Sequence, residues 1–283
     1  MFHISGAHSY RYALHVPLSY SQLRLYRICP RQYEYSVIKK LSRRITAEES
    51  FGSSVHNTLK HWGEEEMNNE KLIMNNGQAQ MFDEAVQVRK KKLTVDYLLE
   101  LWRQNFIINA YETRIEADFE RKRGEELMKK YYEWWSSEKR EVIAVEKGFK
   151  IDVGGVEISG RIDMIERIKN EELRMKNEIK VIDFKTSSSK TQEETDADLQ
   201  LSIYAMAVKE FFEEPCDELA FLFLSEDDVT EIVTQRNESQ LKDAAKQIKM
   251  LSEGIDSKDF HPIPSVGVCR RCPFRGVCNA AAV

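Results

Sequence analysis

The spacing of hydrophobic residues changes along this chain, and the change falls near Val142. Before that residue, apolar positions recur three or four apart, which places them on one face of a helix. Val55, Leu59 and Trp62 form one such set. Pro30 interrupts the pattern because proline ends one helix and can start the next. The spacing predicts helices around 18–28, 30–38, 51–62, 78–92, 94–110 and 113–137.

After Val142 the apolar residues follow the two-residue period of strands. Gly154 and Gly155 predict a hairpin turn between the first two strands, and the polar stretch 169–177 is a predicted loop. Strands are predicted over 142–151, 156–168, 179–184, 219–224 and 229–234. Helices are predicted over 193–212 and 239–251. The order α–βββ–α–β is that of an α/β sheet with helices on both sides.

These elements divide the chain into five parts. Residues 1–16 carry little structural signal and form an N-terminal extension. The predicted parts that follow are the N-terminal helices at 17–63, a charged helical insert at 64–140, the sheet-bearing core at 141–260 and a cysteine-rich segment at 261–283.

Composition indicates a globular protein, with 42% hydrophobic and 10% aromatic residues. No apolar run approaches the roughly 20 residues that a membrane helix needs. Residues 1–6 lack the basic-then-apolar order of a signal peptide. We therefore expect a soluble, cytoplasmic protein that has no membrane partner.

The net charge of −5 hides a basic segment near the N-terminus. Between residues 20 and 45, seven lysines and arginines face Glu34 alone, so the local charge is +6. Four tyrosines lie among these cations, a mixture that suits a phosphate backbone and its bases. A second cluster at 89–92 fits a solvated helix face better.

Two acids in the strand region are candidates for chemistry. A strand over 181–186 would place Asp183 and Lys185 on one face, and Ile182 and Phe184 on the other. Asp163 lies in a similar setting upstream. Two carboxylates brought together repel each other, and a divalent cation relieves this repulsion. The pattern alone also fits a solvated strand edge with a surface ion pair.

The five cysteines suggest a metal centre. Cys269, Cys272 and Cys278 lie close together in the sequence, and thiolates at such spacing are normally held by a soft metal centre. Three ligands leave a tetrahedral centre one short, and Cys29 is the natural fourth. Four thiolates fit either Zn²⁺ or a [4Fe–4S] cluster. Cys216 is expected to be an unligated thiol.

Taken together, these stretches resemble RecB-type nuclease domains of the PD-(D/E)XK superfamily. The resemblance rests on residues 18–33, 51–56, 160–163, 183–186 and 200–205. The one-plus-three cysteine arrangement resembles the iron–sulfur branch, with its AddB-type nucleases and CRISPR-associated RecB-like exonucleases. The N-terminal motifs of the sequence are similar to those of nuclease domains that accompany UvrD-like helicases. Coverage from Pro17 to Cys278 implies a restriction-endonuclease-like αβββαβ core with a helical insert and a C-terminal cysteine-cluster segment.

The resemblance also implies a metal site. His56, Asp163 and Asp183 would bind Mg²⁺ or Mn²⁺, with the carbonyl of Phe184 as a further ligand. Without the resemblance, a lone histidine near the apolar face of a helix is more often a hydrogen-bonded core residue.

Further roles follow from the same resemblance. Lys185 would orient the attacking water or neutralise negative charge, and Gln200 and Tyr204 would hold Lys185 or the phosphate. Glu146 would either assist or be an exposed strand acid. The cluster on Cys29, Cys269, Cys272 and Cys278 would be structural and would fix three DNA-binding residues beside the site, namely Arg24, Arg27 and Arg31.

The resemblance therefore predicts a metal-dependent deoxyribonuclease, an exonuclease on single strands or duplex ends, in DNA repair or recombination. Its partner would be a helicase or a CRISPR-adaptation protein. A helicase would have to be a separate protein, because the sequence has no GxxxxGK[ST] phosphate loop. A catalytically inactive DNA-binding scaffold is the alternative. A zinc-bound interaction module would explain the cysteines but not the acids.

Overall fold

A computed structural model of the chain describes residues 16–79, 91–169 and 177–283. The predicted extension up to residue 15, most of the predicted helix at 78–92 and the centre of the loop at 169–177 lie outside these ranges, as do two residues of the basic cluster at 89–92. Within them, no helix is both long and apolar enough to cross a membrane.

The N-terminal helices follow the local signals in the sequence. Helix α1 spans Tyr20–Ile28, and Ser19 caps it by accepting a hydrogen bond from the backbone N–H of Gln22. The Gln22 side chain accepts a bond from the Ser19 N–H in return. Helix α2 (Pro30–Tyr33) starts at its proline, as predicted, and continues into a π-helical turn over Glu34–Ile38.

Three longer helices follow: α3 (Ala47–Ala79), α4 (Val95–Asn105) and α5 (Arg114–Ser136). Helix α3 runs without a break through residues 63 and 64, where the predicted insert begins. Helix α4 ends five residues earlier than predicted because the chain after it bonds to α3. The backbone N–H of Ile107 donates to Ser54 Oγ, and the carbonyl of Ile107 accepts from Ser50 Oγ.

Within the described residues, the sheet has five strands, numbered β1 to β5 in chain order and lying side by side in that same order. The strands are β1 (Glu141–Val153), β2 (Val156–Lys169), β3 (Asn177–Lys185), β4 (Glu218–Leu224) and β5 (Val229–Thr234). All neighbours are antiparallel except β3 and β4. Gly154 and Gly155 form the predicted hairpin turn, with φ of 62° and 87° that glycine adopts without strain.

Two helices, α6 (Gln192–Asp196) and α7 (Leu199–Phe212), connect the parallel strands β3 and β4. The sequence predicts one helix here, and Asp198 divides it. The Asp198 side chain caps α7 by accepting from the N–H groups of Gln200 and Leu201. This cap fixes the start of α7, and therefore the position of Gln200 in its first turn.

Each face of the sheet is covered by its own core. Helices α1, α7 and α8 (Glu238–Asp256) pack on one face, around residues such as Leu23, Val181 and Ile203. Helices α3, α4 and α5 pack on the other, around Trp62 and Trp102. A short helix α9 (Val266–Arg271) carries the cysteine-rich end. The predicted α/β sheet with helices on both sides is confirmed.

Candidate active site

The site lies where strands β2 and β3 separate. Their ladder ends at the pair Met164 and Ile182. Beyond that pair, the Asp163 side chain takes the place of a backbone partner, and its Oδ2 accepts a 2.9 Å hydrogen bond from the backbone N–H of Phe184. In a strand, the N–H and C=O of one residue point toward the same neighbour. The carbonyl of Phe184 therefore faces this gap as well.

Asp183 is fully buried at the bottom of the gap. Its Oδ1 accepts hydrogen bonds from Gln200 Nε2 at 2.8 Å and from the Tyr204 hydroxyl at 3.1 Å. Its Oδ2 forms an ion pair with the Lys185 ammonium and receives no aligned hydrogen bond from the described residues. Burial raises the pKa of Asp183 to about 6, against the opposing effect of Lys185 and with a further increase from Asp163.

The predicted alternation along β3 is present. Ile182 and Phe184 lie in the core beneath α3 and α5, whereas Asp183 and Lys185 are joined by their ion pair on the side that α7 covers. One strand therefore supplies both an acid and a cation to the same point, because alternate side chains share a face.

Gln200 and Tyr204 connect α7 to these charges. Gln200 Oε1 accepts a 3.1 Å hydrogen bond from Lys185 Nζ, and its Nε2 donates to the Tyr204 hydroxyl at 2.8 Å. The Tyr204 hydroxyl also lies 2.9 Å from the carbonyl oxygen of Arg161 on β2. Burial, followed by the charges of Asp183 and Asp163, raises the pKa of Tyr204 well above its usual value. The pair spans the gap and contacts both strands.

His56 reaches the gap from α3. Its Nδ1 lies 3.3 Å from Asp163 Oδ2, and its ring packs edge-on against Phe184. Burial lowers the pKa of His56, but the charge and hydrogen bond of Asp163 outweigh it, so the pKa is raised. Gly52 permits the close approach of α3, since a Cβ there would lie 3.2 Å from Thr186 Oγ1.

The structure brings Glu146 into the site as well. Its φ of +48° is unusual for a residue with a side chain, and its carboxylate is held by Arg161 at 3.2 Å. One ligand atom each from His56, Glu146 and Asp163 lies within 4.8 Å of the others. From the sequence, Glu146 could be either a residue that assists the reaction or an exposed strand acid, because nothing in the local sequence marks a strand acid as functional.

Sequence reasoning missed Lys190, which lies beside the catalytic candidates. Its ammonium pairs with Asp198 and lies 4.5 Å from the centre of the Phe221 ring. Lys185 Nζ lies 5.1 Å from the centre of the same ring. A lysine in a polar loop carries no sequence signal, and only folding brings it here.

Four of the cysteines lie close together in the folded chain, although they are far from the acids of the active site in the sequence. Cys29, Cys269, Cys272 and Cys278 line one cavity, and the Ile263 N–H donates to Cys29 Sγ at 3.5 Å. Burial, followed by the charges of the other three thiols, raises the pKa of Cys272. The remaining thiol, Cys216, lies apart beside β4, and burial raises its pKa to about 12.

The three candidate DNA-binding arginines differ in their surroundings. Arg24 and Arg27 are exposed on α1, near Tyr20, whose pKa is raised to about 12 by burial and by Asp198 while both arginines oppose the shift. Arg31 bonds to Glu34 at 2.8 Å and lines the cysteine cavity. The structure thus brings Arg24 and Arg27 near one another and gives Arg31 a separate setting.

Comparison with known proteins places this geometry in a family. The model that describes the PD-(D/E)XK nuclease superfamily matches residues 17–279. This range contains every acid, lysine and cysteine of the two sites. The five-stranded mixed sheet agrees with the restriction-endonuclease-like fold of that superfamily. No curated protein matches the chain.

Two solved structures are similar in part. A candidate exonuclease from Eubacterium rectale is 13% identical, with 91% of this chain and 86% of that chain covered and a TM-score of 0.42. The protein SSO0001 is 24% identical, with 50% of this chain covered and a TM-score of 0.33. The alignment spans 61% of the SSO0001 chain.

Proposed function

This chain belongs to the PD-(D/E)XK nuclease superfamily, and we propose that it is a divalent-metal-dependent deoxyribonuclease, an exonuclease on single strands or duplex ends in DNA repair or recombination. One observation carries the proposal. The gap between β2 and β3 holds two pairs of ionisable side chains. His56 lies 3.3 Å from Asp163, and Lys185 pairs with the buried Asp183. The hydrogen bond from the Phe184 N–H to Asp163 links the two pairs through the backbone. A surface ion pair would not bury Asp183 completely.

The residues of the gap fit a divalent cation. His56, Glu146 and Asp163 offer ligand atoms within 4.8 Å of each other. Asp183, the other predicted carboxylate ligand, is not part of this group among the described residues, and its Oδ2 lacks an aligned hydrogen bond. Carboxylate oxygens suit Mg²⁺ or Mn²⁺, and neutral imidazole is a common metal ligand. The Phe184 carbonyl is a further ligand in this proposal.

A divalent ion bound there would polarise the scissile phosphate and lower the pKa of its bound water. The remaining residues of the site would place the Lys185 ammonium near the phosphate and hold it there. Lys185 would leave its ion pair with Asp183 to neutralise the phosphate or orient the attacking water. Gln200 would hold Lys185 through its oxygen and Asp183 through its amide group. Tyr204 ties that amide to the β2 backbone.

We propose a [4Fe–4S] cluster for the cysteine cavity. A Zn–S distance of about 2.3 Å would place four tetrahedral sulfurs about 3.8 Å apart. Within the part of the chain that the structure describes, no three of the cysteine sulfurs lie within 4.8 Å of one another. The wider arrangement favours a larger centre. Such a cluster would join the end of α1 to the segment after α8 and stabilise both.

The five-part division of the chain is also a proposal. In it, α4 and α5 support the active site from behind. Trp102 on α4 packs against Phe51 on α3, and Tyr131 on α5 packs against Phe184 on β3. A helicase or a CRISPR-adaptation protein would be a separate partner.

The decisive test is cleavage of end-labelled single-stranded and duplex DNA by anaerobically purified protein, with Mg²⁺, with Mn²⁺ and with EDTA. We expect degradation that needs the ion and proceeds from an end. Protein that binds DNA but cleaves neither substrate with either ion would instead favour a nuclease-like scaffold.

A further inference from the structure

The segment from the last residue of the π-helical turn to the residue before α3, residues 38–46, is here called the strap. All nine of its residues are exposed. It carries four cations and no acid, namely Lys39, Lys40, Arg43 and Arg44. Three large apolar side chains lie among them, with Ile38 53%, Leu41 39% and Ile45 64% exposed. An exposed irregular segment of this composition has no evident role in folding.

The strap is held at both ends. At its start, Lys40 adopts a φ of +50°, and the N–H of Leu41 donates to the carbonyl of Tyr35 at 2.9 Å, which turns the chain out of the helix. At its end, Thr46 and Glu49 form reciprocal capping bonds at the start of α3. The backbone of the strap is therefore anchored at both ends.

The start of the strap adjoins the cysteine segment through Tyr35. Tyr35 packs edge-on against Phe274, and Lys39 Nζ lies 5.1 Å from the centre of the Tyr35 ring. The cysteine segment has the same composition as the strap, with no acid between residues 261 and 283 and with exposed Arg270, Arg271 and Arg275. These two segments concentrate seven cations in a protein whose net charge is −5.

The other end of the strap leads to the active site. Nine residues of α3 lie between Thr46 and His56, and the ten residue steps cover about 15 Å along a helix. Arg43 pairs with Glu49 and Lys39 pairs with Glu34. No ion pair of Lys40 or Arg44 is present in the described ranges, so both cations are available to an external anion.

We propose that the strap and the arginines of the cysteine segment form a track for one DNA strand that leads to the metal site. This rests on the proposed nuclease function and specifies its substrate as an unpaired strand or a frayed duplex end. Lys40 and Arg44 contact phosphates. Leu41 and Ile45 contact unstacked bases, which apolar side chains do when they enter a base step. Charge complementarity and position favour DNA over an apolar protein partner.

The test measures DNA binding at several salt concentrations in EDTA, with the cleavage-deficient Asp183→Ala protein as background. Lys40→Gln with Arg44→Gln should lower the slope of log affinity against log salt by about 1.4, since each phosphate contact on a single strand contributes about 0.7. Leu41→Ser with Ile45→Ser should leave the slope unchanged and weaken binding at least about threefold. Melting temperatures should match the background because these side chains are exposed.

The matched control is Lys242→Gln with Lys246→Gln on α8, where both lysines are exposed and form local ion pairs. Strap variants that bind like this control, with the background slope, would overturn the track. Such a result with normal Mg²⁺-dependent cleavage by the wild type would leave the nuclease function standing. Conversely, if the strap substitutions weaken DNA binding but the wild-type protein never cleaves DNA, the track would be supported and the nuclease proposal would be contradicted.

Discussion

Asp163 accepts a hydrogen bond from the backbone N–H of Phe184 at 2.9 Å, just past the end of the β2–β3 ladder. This bond ties an acid of one strand to the backbone between Asp183 and Lys185 on the next strand. The strands can separate there without leaving a buried backbone donor unpaired. In the opening that results, His56 Nδ1 lies 3.3 Å from Asp163 Oδ2.

Asp183→Ala should abolish ion-dependent DNA cleavage, by at least about a thousandfold, because it removes a buried carboxylate from the metal site. DNA binding should persist. End-labelled substrates and a filter-binding assay would measure both. The control is Asp227→Asn in the exposed turn between β4 and β5, which should cleave normally. Cleavage by the alanine variant at the wild-type rate would refute the site.

Gln200→Ala should lower kcat about tenfold to a hundredfold with little change in KM, since Gln200 positions Lys185 rather than binding substrate. Gln200→Glu should shift the acid limb of the pH–rate profile upward, because a second carboxylate beside Asp183 disfavours its ionisation. A merely structural role would lower activity equally at every pH. A rise in KM alone would argue for direct substrate contact instead.

Metal affinity should begin to fall as pH drops through the raised pKa of His56. The fall should steepen below about 6, where Asp183 also binds a proton, to at most about a hundredfold per unit for the two protons. The pKa of Asp183 is about 6 in the metal-free protein and that of His56 is raised, so protons compete with the ion at both groups. Titration calorimetry with Mn²⁺ between pH 5 and 8 would measure this. Asp183→Asn should flatten the dependence. An affinity that is constant over this range would contradict the ligand assignment.

Cys272→Ser should remove most of the bound iron, bleach the visible absorbance of anaerobically purified protein and lower its Tm. It deletes one of the four thiols that line the cavity between the end of α1 and the C-terminal segment. Cys216→Ser is the matched control, and it should keep full metal content because Cys216 lies beside β4. Stoichiometric zinc in colourless wild-type protein would exclude the iron–sulfur cluster.

Gly124→Ala should destabilise the protein by about 2 kcal/mol, although alanine is the better helix former. An added Cβ would lie 1.9 Å from the ring of Trp102, which is fully buried and cannot move aside. Gly148→Ala is the control, since nothing lies within 4 Å of its added Cβ. Chemical denaturation would compare the two. Equal stability would show that α4 and α5 pack loosely.

Local rules of the sequence determined much of the fold. Ser19 and Pro30 start their helices because capping and proline geometry act within a few residues. Gly154 and Gly155 turn the first hairpin because only glycine tolerates both positive φ angles freely. The alternation of Ile182, Asp183 and Phe184 follows from the two-residue period of a strand. Each signal lies within one short segment and needs no distant partner.

The remaining features depend on contacts between residues that are far apart in the chain. The end of α4 was missed because Ser50 and Ser54, more than fifty residues away, bond to Ile107. Glu146 joined His56 and Asp163 only through the irregular pairing of β1 with β2. Which acid enters a site, which thiols share a cavity and which cations form a surface were decided by tertiary structure, because proximity in space is not encoded in local spacing.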